Sequence, residues 1–165
     1  MKKIMLLVVL AGLGWWYFVG GRTLTEEGVR KHYDEQGAAM ARFDAEALCA
    51  MLHDDYQASE VSITPAGTVK ATVDRGQACD NIGAALEPMK KLSEMSGGQA
   101  GISFANNISK VTLSEDGKTA TVEGEGRFSM AGALLIKSEY TEELVRRNGS
   151  ILHLRSDAKS WLYSP

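Results

Sequence analysis

The chain has 165 residues, enough for one domain and cramped for two. Its 44% apolar, 7% aromatic and 24% charged residues are ordinary globular values, which excludes disorder, collagen and coiled coil as whole-chain descriptions. The net charge of −3 hides a split: residues 1–21 contribute only Lys2 and Lys3, so residues 22–165 carry 16 basic against 21 acidic residues. A domain that acidic lacks the clustered cations that nucleic-acid binding requires.

Lys2 and Lys3 precede 18 uncharged residues, 4–21. Two readings stay open. A cleaved signal peptide has a basic start, an apolar run and small residues at the cut, and Val19-Gly20-Gly21 offers a weak cut site. An uncleaved anchor has a longer apolar run with interfacial aromatics, and Trp15, Trp16, Tyr17 and Phe18 sit where that belt belongs. Bulky aromatics before the cut favour the anchor. Either way Lys2 and Lys3 hold the start inside, and residues 22–165 are expected across the membrane. The expected layout is a single-pass inner-membrane protein with a periplasmic C-terminal domain, or a secreted domain if cleavage occurs. An exported domain is oxidised, so Cys49 and Cys79 are expected to form a disulfide closing a loop of about 30 residues, worth about 3.5 kcal/mol. Their separation does not make a metal site. His32, His53 and His153 show no ligand spacing, and each reads as a surface or internally satisfied histidine. No metal or cofactor is expected.

Thr25-Glu26-Glu27 starts a helix. Val29, Tyr33, Gln36, Met40, Phe43 and Ala47 then recur at helical steps, with Gln36 the one polar member of the stripe. Asp44 caps a second, short helix running from Ala45 to about His53. Tyr56 to Val73 reads as two short strands around Pro65-Ala66-Gly67. Asp74 and Gln77 form a capping-box pair opening another helix, with Cys79, Ile82, Leu86, Met89 and Leu92 on its apolar side and Pro88 expected to kink or interrupt it. A Gly-rich connection leads to four strands, with hairpin turns at Asp116-Gly117 and Asn148-Gly149. The second alternates over eleven residues, and its three glycines permit a sharp bend. Segregated helices and an antiparallel sheet make an α+β fold, with long helices packed in a strongly bent sheet to form a cone with an apolar interior.

Phe43-Asp44-Ala45-Glu46-Ala47-Leu48 running into Leu52-His53-Asp54-Asp55-Tyr56, with Asp74-Arg75-Gly76-Gln77-Ala78 opening the next helix and the two terminal hairpins, resembles the nuclear-transport-factor-2-like superfamily. The resemblance covers about residues 25–162. It implies the cystatin-like cone and places the domain at residues 22–165, behind a segment at 1–21. It leaves function wide, because SnoaL-like and ketosteroid-isomerase-like enzymes share the fold with non-catalytic assembly domains. Ketosteroid isomerase uses an aspartate base, a tyrosine and a protonated aspartate. Laid on residues 44–55 without gaps, the resemblance puts Glu60 at the base position and Gln36 at the tyrosine position, with Tyr33 one helical turn away. Counting back from Asn148-Gly149 puts the second acid at Glu143. That strand's apolar parity is Leu134, Ile136, Tyr140 and Leu144, and Glu143 is on the other.

The periplasmic assembly subunits of type IV secretion systems keep this domain behind one membrane helix, and the layout here is similar. The favoured expectation is a non-catalytic envelope domain binding an apolar small molecule or a protein partner through Tyr33, Gln36, Tyr56 and Glu60. The alternative is an isomerase, dehydratase or cyclase with Glu60 as general base and Glu143 as second acid. Folds of this resemblance pair through the open sheet face. Here that face carries Lys137, Glu139, Thr141, Glu143 and Arg147, so a monomer or weak homodimer is expected.

Overall fold

The computed structural model describes residues 23–163, so the anchor or signal segment lies outside the described residues. Helix α1 (Glu26–Ala41) begins where the Thr25 hydroxyl accepts a hydrogen bond from the Gly28 amide, at 3.1 Å. It ends at Phe43, whose φ of 54° turns the chain so that Asp44 can cap helix α2 (Ala45–Ala50), accepting from the Ala47 amide at 3.0 Å. The short helix is therefore three residues shorter than the sequence suggests. Leu52 is already extended, and strand β1 (Leu52–Thr64) is one long strand, hairpinned to β2 (Gly67–Asp74) through the expected turn. Helix α3 (Arg75–Met95) opens on the full Asp74–Gln77 capping box. It runs unbroken through Pro88, so the proline does not interrupt it. The carbonyl that Pro88 cannot bond belongs to Ala84, which is exposed, so water can satisfy it.

Strands β3 (Ser103–Leu113), β4 (Thr119–Met130), β5 (Ala133–Arg147) and β6 (Ser150–Leu162) follow as consecutive hairpins. The sheet order is β2-β1-β6-β5-β4-β3, antiparallel except for the β1–β6 pair. Gly117, Asn148 and Gly149 all have positive φ, as tight hairpin turns demand. Four register shifts, between Leu52 and Gln57, Ile108 and Lys110, Phe128 and Ser129, and Glu143 and Leu144, accompany the curl of the sheet around the helices. The result is the expected α+β architecture of helices held in a curled antiparallel sheet.

Two apolar clusters close the interior. One joins Leu24, Val29 and Tyr33 to Ala120, Val122 and Leu144 of the sheet. The other joins Ala39, Leu48 and Leu86, with Met40, Phe43, Met89 and Phe104 packed around them. Cys49 and Cys79 are bonded as a disulfide with Cα atoms 5.2 Å apart, tying α2 to α3 behind the second cluster. Among the described residues no helix is long and apolar enough to cross a membrane.

Candidate functional site

Between the two clusters the sheet and helices enclose a cavity of about 350 Å³. Its apolar wall is Met40, Leu86, Met89, Phe104, Phe128 and Ile136. Phe104 and Phe128 stack at 5.1 Å on neighbouring strands, so two rings form one continuous panel. Its polar wall is Tyr33 and Gln36 from α1, Asn106 from β3, and Tyr140 and Glu142 from β5. Gly37, Ala85 and Asn106, all exposed, stand at the mouth. The cavity is large enough for a small ligand and has the composition such sites share, mostly apolar with a few converging polar groups.

Each polar group is placed by its element. On β5, residues of even number face the helices, so Tyr140, Glu142 and Leu144 share one face. The Tyr140 ring lies across β4 over Gly124, where a Cβ would sit 2.3 Å from the phenolic oxygen. Only a residue without a side chain leaves room for that crossing. It delivers the Tyr140 hydroxyl to Asn106 Oδ1 on β3, to which it donates. Tyr33 lies beside Tyr140 with ring planes 14° apart and centroids at 6.2 Å. Gln36 reaches the same wall one turn later, and its side chain makes no hydrogen bond to the described residues.

Glu142 is the hub, its side chain 15% exposed. It accepts from the Tyr33 hydroxyl, from Ser156 Oγ at 3.3 Å and from His153 Nδ1 at 3.2 Å. His153 Nε2 in turn lies 3.1 Å from His32 Nε2. Burial alone would raise the Glu142 carboxyl. The His153 imidazole beside it, with the hydrogen bonds from His153, Tyr33 and Ser156, outweighs burial and holds it below the ordinary carboxylate range. Burial, then the neighbouring His153, pushes His32 down to about 4, so His32 is neutral. Burial and the nearby carboxylate push the Tyr33 phenol well up, so Tyr33 keeps its proton and remains a donor to Glu142. Tyr140 is shifted upward for the same two reasons.

Chemically, the site can hold a carboxylate ionised beside an apolar wall and fix the phenols around it. The phenolic protons point to Glu142 and Asn106, not into the cavity. Among the described residues no cluster of acids, histidines or cysteines could hold a metal ion.

Of the residues named from sequence, Tyr33 and Gln36 line this cavity. Tyr56 does not. It is half-buried behind Glu142 and Ser156, with its phenol pushed up to about 12, chiefly by burial and then by Glu142. Glu60 does not line the cavity either. It is exposed, with Ser62 Oγ donating to it at 3.2 Å and Ser160 Oγ 3.5 Å away. It shares the Tyr56 face of β1 but lies four residues further along the strand, in solvent. Glu143 is likewise corrected. It faces away from the helices, opposite Arg155, whose Nε lies 4.0 Å from it, and the inward acid is its neighbour Glu142. The buried pair His32 and His153 was not singled out from sequence.

No protein-family model and no curated protein sequence matches this chain. Solved structures do. An NTF2-like protein with a cystatin-like fold from Novosphingobium aromaticivorans gives a TM-score of 0.53 at 20% identity, covering 81% of this chain and 79% of that one. A domain of unknown function with a cystatin-like fold from Nostoc punctiforme gives 0.53 at 13% identity, covering 81% and 75%. An NTF2-like protein of unknown function from Shewanella oneidensis gives 0.53 at 14% identity, covering 79% and 95%. At these identities the likeness defines the fold. The chain has the NTF2-like, cystatin-like α+β fold.

Proposed function

We propose that this domain is a non-catalytic binding module whose cavity takes a small molecule with an apolar body. One observation carries the reading: a cavity of about 350 Å³ that is panelled by Phe104, Phe128, Met40 and Met89 and ends on a wall of hydrogen-bonding groups. Met40, Met89 and Phe128 stand around this space instead of filling it. The general base of the catalytic alternative, Glu60, is exposed and outside the cavity, so that alternative draws no support from geometry. We further propose an envelope location, with residues 4–21 as anchor or signal. Its support is the basic start, apolar run and aromatic belt, and a disulfide of the kind that persists in oxidising compartments. The Leu24 amide donates to the Gly117 carbonyl at one end of β4, whereas the cavity lies along Gly126 to Phe128. A tether at residues 4–21 would thus leave the mouth directed away from the bilayer.

The test is calorimetric titration of the purified full chain with 4-phenylbutanol, a neutral probe, beside an Ala85→Trp variant. Ala85 is exposed at the mouth, so a tryptophan there blocks entry without entering the core. Saturable binding that the variant abolishes is expected. Binding that the variant leaves unchanged, or no binding, would refute the cavity as the functional site.

A further inference from the structure

The direction of the hydrogen bonds on the polar wall selects among ligands. Glu142 is a carboxylate with its edge in the cavity wall, and carboxylates only accept. The Tyr33 hydroxyl spends its proton on Glu142, and the Tyr140 hydroxyl spends its proton on Asn106 Oδ1. Each phenolic oxygen is left with lone pairs beside the cavity. Behind Glu142, His153 Nδ1 donates to it at 3.2 Å, and neutral His32 lies beyond, 3.1 Å from His153 Nε2. Arg127, the one cation lining the cavity among the described residues, is 59% exposed and committed to Glu125 at 2.6 Å, outside the wall. Apart from the Ser138 hydroxyl, which is paired with Ser160 Oγ at 2.9 Å, the donors are the uncharged amides of Gln36 and Asn106. A carboxylate or enolate ligand would meet Glu142 and two phenolic lone pairs. A cation with N–H groups would meet three acceptors.

We propose that the cavity takes an organic ammonium ligand, a primary amine on an apolar alkyl or aromatic body. Its N–H groups donate to Glu142, Tyr33 and Tyr140, and its body lies against Phe104, Phe128 and Met89. This rests on the cavity being the binding site, as proposed above. The apolar panel and the acceptor wall face each other across one space, so a single molecule of that amphipathic form satisfies both. An ammonium group also meets the stacked Tyr33 and Tyr140 rings, whose electron-rich faces favour a cation.

The experiment compares three probes with one body and three heads: 4-phenylbutylamine, 4-phenylbutanol and 4-phenylbutyrate. Each is titrated into the full chain at neutral pH and about 0.15 M salt, which screens the general attraction of an acidic protein for amines. The expected order is amine, alcohol, carboxylate, with the amine about tenfold tighter than the alcohol, as one charge-assisted hydrogen bond supplies. Glu142→Gln is expected to bring the amine to within about threefold of the alcohol. Because Glu142→Gln disturbs a buried network, Tyr140→Phe serves as the second variant. It removes one acceptor without changing charge, and is expected to weaken the amine severalfold while leaving the carboxylate unchanged or improved. A carboxylate that binds as tightly as the amine, equal affinities for all three heads, or an amine preference surviving both variants would overturn the proposal while leaving the cavity reading intact. Failure of all three probes, or binding indifferent to Ala85→Trp, would overturn the cavity reading and this proposal with it.

Discussion

His32 and Glu142 make the folded domain sensitive to acid. His32 takes up a proton at about 4 when folded and near 6.5 when unfolded. Between those values the unfolded chain binds more protons, so the stability His32 contributes is fully present above about pH 6.5 and is lost as pH falls towards 4. The lowered Glu142 carboxyl acts in the same direction, its contribution being lost as pH falls through its folded value. Urea unfolding at pH 7 and pH 4.5 should differ by about 2–3 kcal/mol from His32 alone, and His32→Gln should shrink that difference. A difference that His32→Gln leaves intact would mean that the buried imidazole is not its source.

Gly124 is a second position where one atom matters. Gly124→Ala puts a methyl 2.3 Å from Tyr140 Oη and 2.9 Å from the Asn107 carbonyl, and the carbonyl, being backbone, cannot step aside. Tyr140 must swing away, losing its bond to Asn106. The expected cost is about 1–3 kcal/mol by urea denaturation, with amine binding reduced alongside it. Some of this was legible beforehand. Leu134, Ile136, Tyr140 and Leu144 already define a parity that includes position 142, so alternation points to Glu142 where counting from the turn chose Glu143. Gly124 opposite Tyr140 follows from the hairpin register, but the consequence needs the ring's direction. His32 and His153 are 121 residues apart, and nothing in local sequence announces that they meet.

At the scale of elements, helix starts and hairpin turns were the clearest signals because their causes are local. Thr25, Asp44 and Asp74 each cap as read, since a short polar side chain beside free amides needs no tertiary context. Asp74→Ala should remove the carboxylate that accepts from the Gln77 amide, leaving the residue-74 amide still able to donate to Gln77 Oε1, and cost about 1 kcal/mol. The short helix was read less well. The stretch after Ala50 is drawn into the sheet by its partner, the His153 amide donating to the Met51 carbonyl at 2.9 Å, and that pairing is non-local. The Cys49–Cys79 bond links two helices that also pack through Leu48 and Leu86. Reducing it, or replacing both cysteines with serine, should cost about 2–4 kcal/mol in chemical denaturation. Two thiols titrating freely in the unreduced protein would remove the bridge and the oxidising-compartment argument with it.

At the scale of the molecule, the curled sheet and three helices form a container whose inner face lines the cavity and whose outer face is charged. On that outer face Lys137 bridges Glu125 at 2.8 Å and Glu139 at 3.3 Å, and Arg127 holds Glu125. A surface so laced with exposed ion pairs suits solvent better than an obligate interface, and light scattering at micromolar concentration should find a monomer or a weakly associating dimer. The proposed ligand site is the space between the two apolar clusters. Methyl NMR of methionine-labelled protein titrated with 4-phenylbutylamine tests it most directly. Met40 and Met89 line the cavity, while Met95 is 87% exposed and does not. Saturable shifts of the Met40 and Met89 methyl signals are expected, with Met95 unmoved; shifts confined to Met95, or none at saturating probe, would rule out binding in this cavity.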